Sequence, residues 1–275
     1  MRNMMNVAVT MGQLQNRMDI TANNIANLNT FGYKSSHAQF ASLMFQQVNN
    51  ILEHDEESPR MTPFGIRVGS GARLSDTALN MQNGSIQMTE RPLDVAIQQP
   101  NRFFVVHAPS VDDDTEIQYT RAGHFYLQPI NDTELMLTTG EGYPVEGHDG
   151  PITIYGDFDD IQINALGGID VTRGNVTTTE AYLQVVDFER TRGLEKTGGN
   201  TYRLDEEALG APIEDFVALV QPEDAQLVAG ALETSNVDLS KEFTDLIESQ
   251  RAYSFNARSI SIGDQMLGLI GSMRS

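Results

Sequence analysis

Five histidines, His37, His54, His107, His124 and His148, are the side chains best suited to proton transfer or metal ligation. They are scattered, and no pair stands at the spacing that presents ligands to a metal. Lys196-Thr197-Gly198 matches one element of a serine β-lactamase set, but no serine stands three residues before Lys34, Lys196 or Lys241. Gly69-Ser70-Gly71 lacks the third glycine and the following helix pattern of a nucleotide loop. The acidic runs Glu53-His54-Asp55-Glu56-Glu57 and Asp112-Asp113-Asp114 lack the Asp-x-Asp-x-Asp-Gly order of a calcium hand. Carboxylates abound, yet nothing singles out a catalytic pair. There is no cysteine, hence no thiolate site and no disulfide. The residues therefore argue for no enzyme, no cofactor and no metal. The dense functional groups are amides instead: Asn23, Asn24, Asn27 and Asn29, four asparagines in seven residues. Each costs a helix about 0.5 kcal/mol against alanine. One reading is a fraying helix end. The sharper reading is that these amides hydrogen-bond to neighbouring chains.

The elements that would position such contacts lie at the two ends of the chain. Leu239, Phe243, Leu246, Gln250, Tyr253, Ala257, Ile260, Asp264 and Leu267 alternate steps of four and three. That 3.5-residue period keeps one seam of a helix against another helix. Ser235-Asn236-Val237-Asp238 supplies cap-type residues before it, and Glu242 an acid in the first turn. A helix over 238–272 would run on the order of 50 Å, too long for one small domain to bury. At the other end Met4, Met11, Met18 and Ile25 lie seven apart, and Val7, Leu14, Thr21 and Leu28 form a second series offset by three. These are a and d positions of four heptads. The competing reading is two ordinary amphipathic helices on one globular domain. Gly32 supplies a left-handed turn after the first helix. Gly263, Gly268 and Gly271 each cost the second helix about 1 kcal/mol, either to allow close approach or because the end orders poorly.

Between the ends the pattern changes. In residues 35–66, a connector, Phe40, Leu43, Met44 and Val48 are helically spaced. From 67 to 231 the period is two: Leu93, Val95 and Ile97; Phe103 to His107; Ile161 and Ile163; Leu183 to Phe188. Turn residues recur every 8 to 14 positions, the rhythm of a sandwich or barrel. Candidate linkers are 53–63 and 204–215. The expected class is α+β: N- and C-terminal helices, 1–34 and 232–275, pairing as a coiled coil, with an inserted all-β, sandwich- or barrel-like domain. Net charge is −20, which argues against nucleic acid as a partner. No apolar run approaches the ~18 residues of a membrane span, and the N-terminus lacks a secretory h-region.

At this point several motifs, in one order, resemble the bacterial flagellar rod and hook proteins. At the N-terminus the run is Asp19-Ile20-Thr21-Ala22-Asn23-Asn24-Ile25-Ala26-Asn27-Leu28-Asn29-Thr30-Phe31-Gly32-Tyr33-Lys34. In the middle stand Pro92-Leu93-Asp94-Val95-Ala96-Ile97, Phe103-Phe104-Val105, Tyr119-Thr120-Arg121-Ala122-Gly123-His124-Phe125 and Gly142-Tyr143-Pro144-Val145. Near the C-terminus come Glu233-Thr234-Ser235-Asn236-Val237-Asp238-Leu239, Gln250-Arg251-Ala252-Tyr253, Asn256 and Asp264-Gln265-Met266-Leu267. The length and the stretch from Phe40 to Gly71 are most similar to the distal rod protein. One departure is Val9-Thr10-Met11-Gly12, where the family has a Ser-Gly-Met.

The resemblance implies a structural subunit of the basal-body rod, exported through the flagellum's own apparatus without a cleaved signal. It implies terminal helices lining the inner tube of a helical polymer and a β-domain outside, in a tube that transmits torque and encloses the export channel. Implied partners are other copies of the chain, other rod and hook proteins, and the export apparatus, with no membrane insertion. The expected subunit contacts are Leu14, Met18, Asn23, Asn24, Ile25, Asn27, Asn29 and Gly32 from the first end. From the second they are Leu239, Phe243, Leu246, Gln250, Arg251, Tyr253, Asn256, Ile260 and Leu267. Rival readings are a proximal rod or hook–rod junction subunit, a wall-acting hydrolase, and an adhesive β-module on a coiled-coil stalk.

Overall fold

The computed structural model describes residues 2–42, 46–48, 66–68, 72–109, 115–204 and 216–274. The chain divides into two compact units. One gathers Met1–Ile25, Ser36–Ala78 and Leu239–Ser275; the other gathers Ala26–Ser35 and Leu79–Asp238.

The first unit holds two helices, α1 (Arg2–Ala26) and α2 (Leu239–Arg274). The first stops a few residues short of the expected end. Asn27 is the reason: its carbonyl accepts from the Thr30 N–H and its side-chain oxygen from the Thr30 hydroxyl, both at 3.2 Å. A short amide side chain that bonds to its own neighbourhood competes with the helix ladder. Gly32 then takes φ +70°, the left-handed turn the sequence called for. The second helix carries Glu242 in its first turn as expected.

The connector is not helical where it is described. Ser36–Ser42 pairs with Ala72–Leu79, and Gln46–Val48 with Ile66–Val68 in antiparallel register, Gln47 opposite Arg67. The helical spacing of Phe40, Leu43, Met44 and Val48 is thus corrected for Phe40 and Val48, which sit in strands. Leu43 and Met44 lie outside the described residues. A window of nine residues fits both periods, and the return strand supplies the ladder that decides between them. The acidic run 53–57, the glycine run 69–71, the aspartates 112–114 and most of the linker 204–215 also lie outside the described residues.

The second unit is built on a six-stranded antiparallel sheet. Its order is Leu194–Gly198, Thr201–Leu204, Thr115–Thr120, Arg102–Pro109, Val185–Phe188 and Val217–Val220. The central strand Arg102–Pro109 explains the layers. Side chains alternate along a strand, and here both faces are dry. Phe104 and Val106 point into a core with Phe125, Leu137, Ile154 and Ile169. Phe103 and Val105 point the other way, into a core with Tyr119, Phe188, Tyr202 and Leu204. Edge-to-face ring pairs hold this second core, Phe103 lying 5.2 Å from Phe188 and 5.4 Å from Tyr202. Two three-stranded sheets and several two-stranded pairs complete the unit, among them Ala231–Glu233 against Ile86–Met88. The molecule is therefore α+β, with helices at both ends and a β-rich middle.

Candidate assembly site

Within the β unit, its first and last segments lie together. Residues 31–36, which follow α1, run beside residues 233–236, which precede α2. The Gly32 N–H donates to the Glu233 carbonyl at 2.8 Å, and the Asn236 N–H to the Tyr33 carbonyl at 3.4 Å. The Asn236 amide crosses between them. Its oxygen accepts from the Ser35 N–H at 2.7 Å, and its nitrogen donates to the carbonyls of Asn80 and Gln82 at 2.7 and 2.8 Å. Gly32 must be glycine on a second count, since a Cβ there would lie 2.6 Å from the Arg121 backbone.

Beneath this seam lies a buried ionic clamp. Glu233 accepts from Lys34 Nζ at 2.7 Å through one oxygen and from Arg121 Nε at 2.8 Å through the other. All three side chains are at most 2% exposed. Charges this dry persist only when their remaining hydrogen-bonding capacity is met. Here it is. Glu233 also accepts from the Gly84 N–H at 2.8 Å, and Lys34 donates to the Gln82 carbonyl at 2.8 Å. The Arg121 fork donates to the carbonyls of Gln99, Pro100, Arg102 and Ile97 and to the Asn83 amide oxygen, at 2.7 to 3.2 Å. Lys196 Nζ closes the rim, donating to the Lys34 carbonyl at 2.7 Å and lying 4.0 Å from the centre of the Tyr33 ring.

Two cations share one carboxylate, so the clamp carries an excess positive charge. Burial, reinforced by neighbouring Arg121 and only partly offset by Glu233, lowers the Lys34 ammonium to about 8. The folded chain therefore releases this proton near pH 8, while the unfolded chain holds it to about 10.5. Between those values the unfolded state binds more protons, so unfolding free energy rises with pH. Above pH 10 the trend reverses, because burial raises the phenols of Tyr119 and Tyr202 and the unfolded phenols ionise first. We expect the stability difference between the natural chain and Lys34→Met to shift in favour of the natural chain by about 1–3 kcal/mol from pH 7 to 10. Urea titrations of both proteins at a series of pH values measure this; a pH-independent difference would show that Lys34 stays charged throughout.

The expected contact residues fall into three groups. Gly32 belongs to the clamp seam. Asn24 is buried and spends its amide inside the chain, exchanging hydrogen bonds of 2.9 and 3.0 Å with the Ser36 backbone. Leu14, Met18, Ile25 and Asn27 on or just after α1, and Leu246, Tyr253, Asn256 and Ile260 on α2, are half-buried. Asn23, Asn29, Leu239, Phe243, Gln250, Arg251 and Leu267 are exposed. Among the described residues of α2 the fully buried positions are Glu242 and Ser249, seven apart and one residue before Phe243 and Gln250 of the expected seam. Asp245, on the same side, takes an ion pair from Arg17 of α1 at 2.9 Å. What stays in water is a set of large apolar side chains: Phe243, Ile247, Phe255, Ile262, Met266 and Leu269, the last 65% and Phe255 72% exposed. Sequence reasoning quoted Lys34, Arg121 and Glu233 within motifs but did not join them. The available signals were an arginine at the end of a buried-type strand and a lysine among glycine and aromatic residues. Among the described residues no three potential ligands gather to hold a metal ion, and no helix is long and apolar enough to cross a membrane.

The chain thus has a helix at each end, a β-rich middle and a buried ionic clamp within the β unit. Three family profiles match along the chain: "Flagella basal body rod protein" over residues 5–34, "Flagellar hook protein FlgE/F/G D1 domain" over 96–171, and "Flagellar basal body rod FlgEFG protein C-terminal" over 228–272. The chain is 37% identical to the flagellar hook-basal body complex protein FlhP of Bacillus subtilis over the whole of both proteins. It is 33% identical to the flagellar basal-body rod protein FlgG of Caulobacter vibrioides over 96% of each, and 32% identical to FlgG of Bacillus subtilis over 94% and 93%. The chain belongs to the flagellar basal-body rod and hook protein family. It is a structural protein of the bacterial flagellum's basal body.

Proposed function

We propose that this chain is a distal-rod-like subunit that polymerises head to tail into the axial tube, transmitting torque and enclosing the export channel. The observation that carries this reading is the apolar surface of α2. Seven large apolar side chains from Phe243 to Leu269, Leu267 among them, are exposed in the single chain. Each would gain about 1.5–3 kcal/mol on full burial, a strong drive toward other chains. A heterologous contact whose rotation does not close gives a tube or filament rather than a ring. In this reading α1 and α2 pair as a coiled coil in the polymer, residues 1–34 and 232–275 are axial, 35–66 connect, and 67–231 form the outer layer. The remaining contact residues, Asn23, Asn29, Gln250 and Arg251 among them, meet neighbouring chains. Other rod and hook proteins cap the tube at its ends, the export apparatus delivers the subunit, and no catalysis is involved.

A second reading, a rod or hook–rod junction subunit of another kind, draws support from the full-length likeness to a protein titled only as a hook-basal body complex component. The test is direct. Purified full-length chain, concentrated and viewed by electron microscopy, is expected to form tubes of uniform diameter. A finite oligomer that does not grow with concentration would overturn the polymer reading and favour a stalked module.

A further inference from the structure

The net charge of −20 is divided unequally between the two units. The β unit, Ala26–Ser35 with Leu79–Asp238, holds 28 acidic and 9 basic residues, a net of −19. The helix-and-ribbon unit holds 10 acidic and 9 basic residues, a net of −1. Two β units brought face to face would therefore repel, whereas a β unit meets little opposition from another chain's helical unit.

Within the acidic unit one stretch is free of charge. Residues 79–89 include no Asp, Glu, Lys or Arg. Their strand, Ile86–Met88, pairs along one edge with Ala231–Glu233 and has no second strand neighbour among the described residues. All three of its residues are exposed, Ile86 at 42% and Met88 at 63%. Ile86 and Met88, two apart, share one face of the strand. The ionic groups beside it in the fold, those of Glu233, Lys34 and Arg121, are buried and mutually paired. Exposed edges in soluble proteins are ordinarily guarded by a lysine, a proline or an inward-pointing charge. This one carries none.

We propose that the strand Ile86–Met88 is a docking surface for the helical unit of a second copy, with the exposed apolar side chains of that copy's α2 as its complement. The choice of occupant follows from charge and surface together. The second copy's helical unit is near neutral and displays apolar side chains in water. Its β unit, at a net of −19, would bring like charge against like charge. This inference rests on the reading of the chain as a polymer subunit.

The test places a photo-crosslinking benzoylphenylalanine at position 88 of the full-length chain, and in a separate protein at position 255. The probes are activated in the concentrated, assembled state. The position-88 probe is expected to give a covalent dimer of about twice 30.4 kDa, with adduct peptides from 239–269 of the other copy. If position 255 yields dimers and position 88 yields none, or yields adducts within the other copy's β unit or on an unrelated protein, the docking proposal is overturned while the polymer reading stands. If neither position yields dimers, the polymer reading falls and this inference falls with it. As an independent measure, Met88→Asp is expected to raise the concentration needed for polymerisation about tenfold. An unchanged value would overturn the proposal.

Discussion

Glu233→Gln is expected to cost the chain about 3–5 kcal/mol of stability, the range for removing one partner of a buried ion pair. The substitution keeps the shape of the side chain and removes its charge. Lys34 and Arg121 would then be two buried cations with no anion between them, and at most 2% of any of these side chains reaches water. The new amide nitrogen would also face at least one of the three donors that Glu233 now satisfies. Against a total of roughly 5–15 kcal/mol for a typical domain, that loss is large. Urea unfolding measures it, and protease sensitivity within 79–238 should rise in parallel. Combining Glu233→Gln with Lys34→Met should recover part of the loss, because one uncompensated cation is removed with the carboxylate. Such recovery is the signature of coupled sites. A single substitution within 1 kcal/mol of the natural chain would mean that the clamp is solvated after all.

Phe255→Asp should act in the opposite way, leaving the single chain intact and abolishing its assembly. Phe255 is 72% exposed, so a polar replacement changes the stability of the isolated chain by no more than ~0.5 kcal/mol. In the polymer the same side chain would be covered, and each subunit would lose about 2–3 kcal/mol of burial and desolvate a carboxylate as well. At 1.4 kcal/mol per factor of ten, the polymerising concentration should rise about 100-fold or more. Sedimentation across a concentration series measures this. Tyr155→Asp, at a 65% exposed position in the β unit, serves as the control and should polymerise normally. If Phe255→Asp polymerises at the natural concentration, the outer face of α2 is not an assembly contact.

The sequence made some of this architecture legible and hid the rest for identifiable reasons. Both terminal helices could be read because heptad spacing persists over many turns and ends at recognisable caps. The strand through Phe103 and Val106 could be read from its continuous apolar run, which a strand buried on both faces requires. The connector was misread because the interval from Phe40 to Val48 is too short to separate a period of 3.6 from pairing with a distant strand. The inward face of α2 was hidden for a different reason. Apolar residues surround the helix, with Leu246, Tyr253 and Ile260 on one side and Phe243, Ile247 and Phe255 on another, so periodicity alone could not orient it. The clamp was hidden by distance, since Glu233 lies 199 residues from Lys34 and 112 from Arg121. The bonds of Asn24 to the Ser36 backbone were hidden too, since a partner 12 residues on is not announced by local patterns.

The pairing of residues 31–36 with 233–236 also bears on how this lineage can change. A segment whose entry and exit are bonded to each other behaves as a cassette. Residues gained or lost anywhere between those two points leave the separation of the two segments as it was. The β unit is thus free to lengthen, shrink or exchange surface loops over evolutionary time while its entry and exit stay bonded to each other. Variation should therefore accumulate between residues 79 and 232 in length as well as in sequence, and should halt at Lys34, Arg121, Glu233 and Asn236, the four side chains that hold the cassette shut.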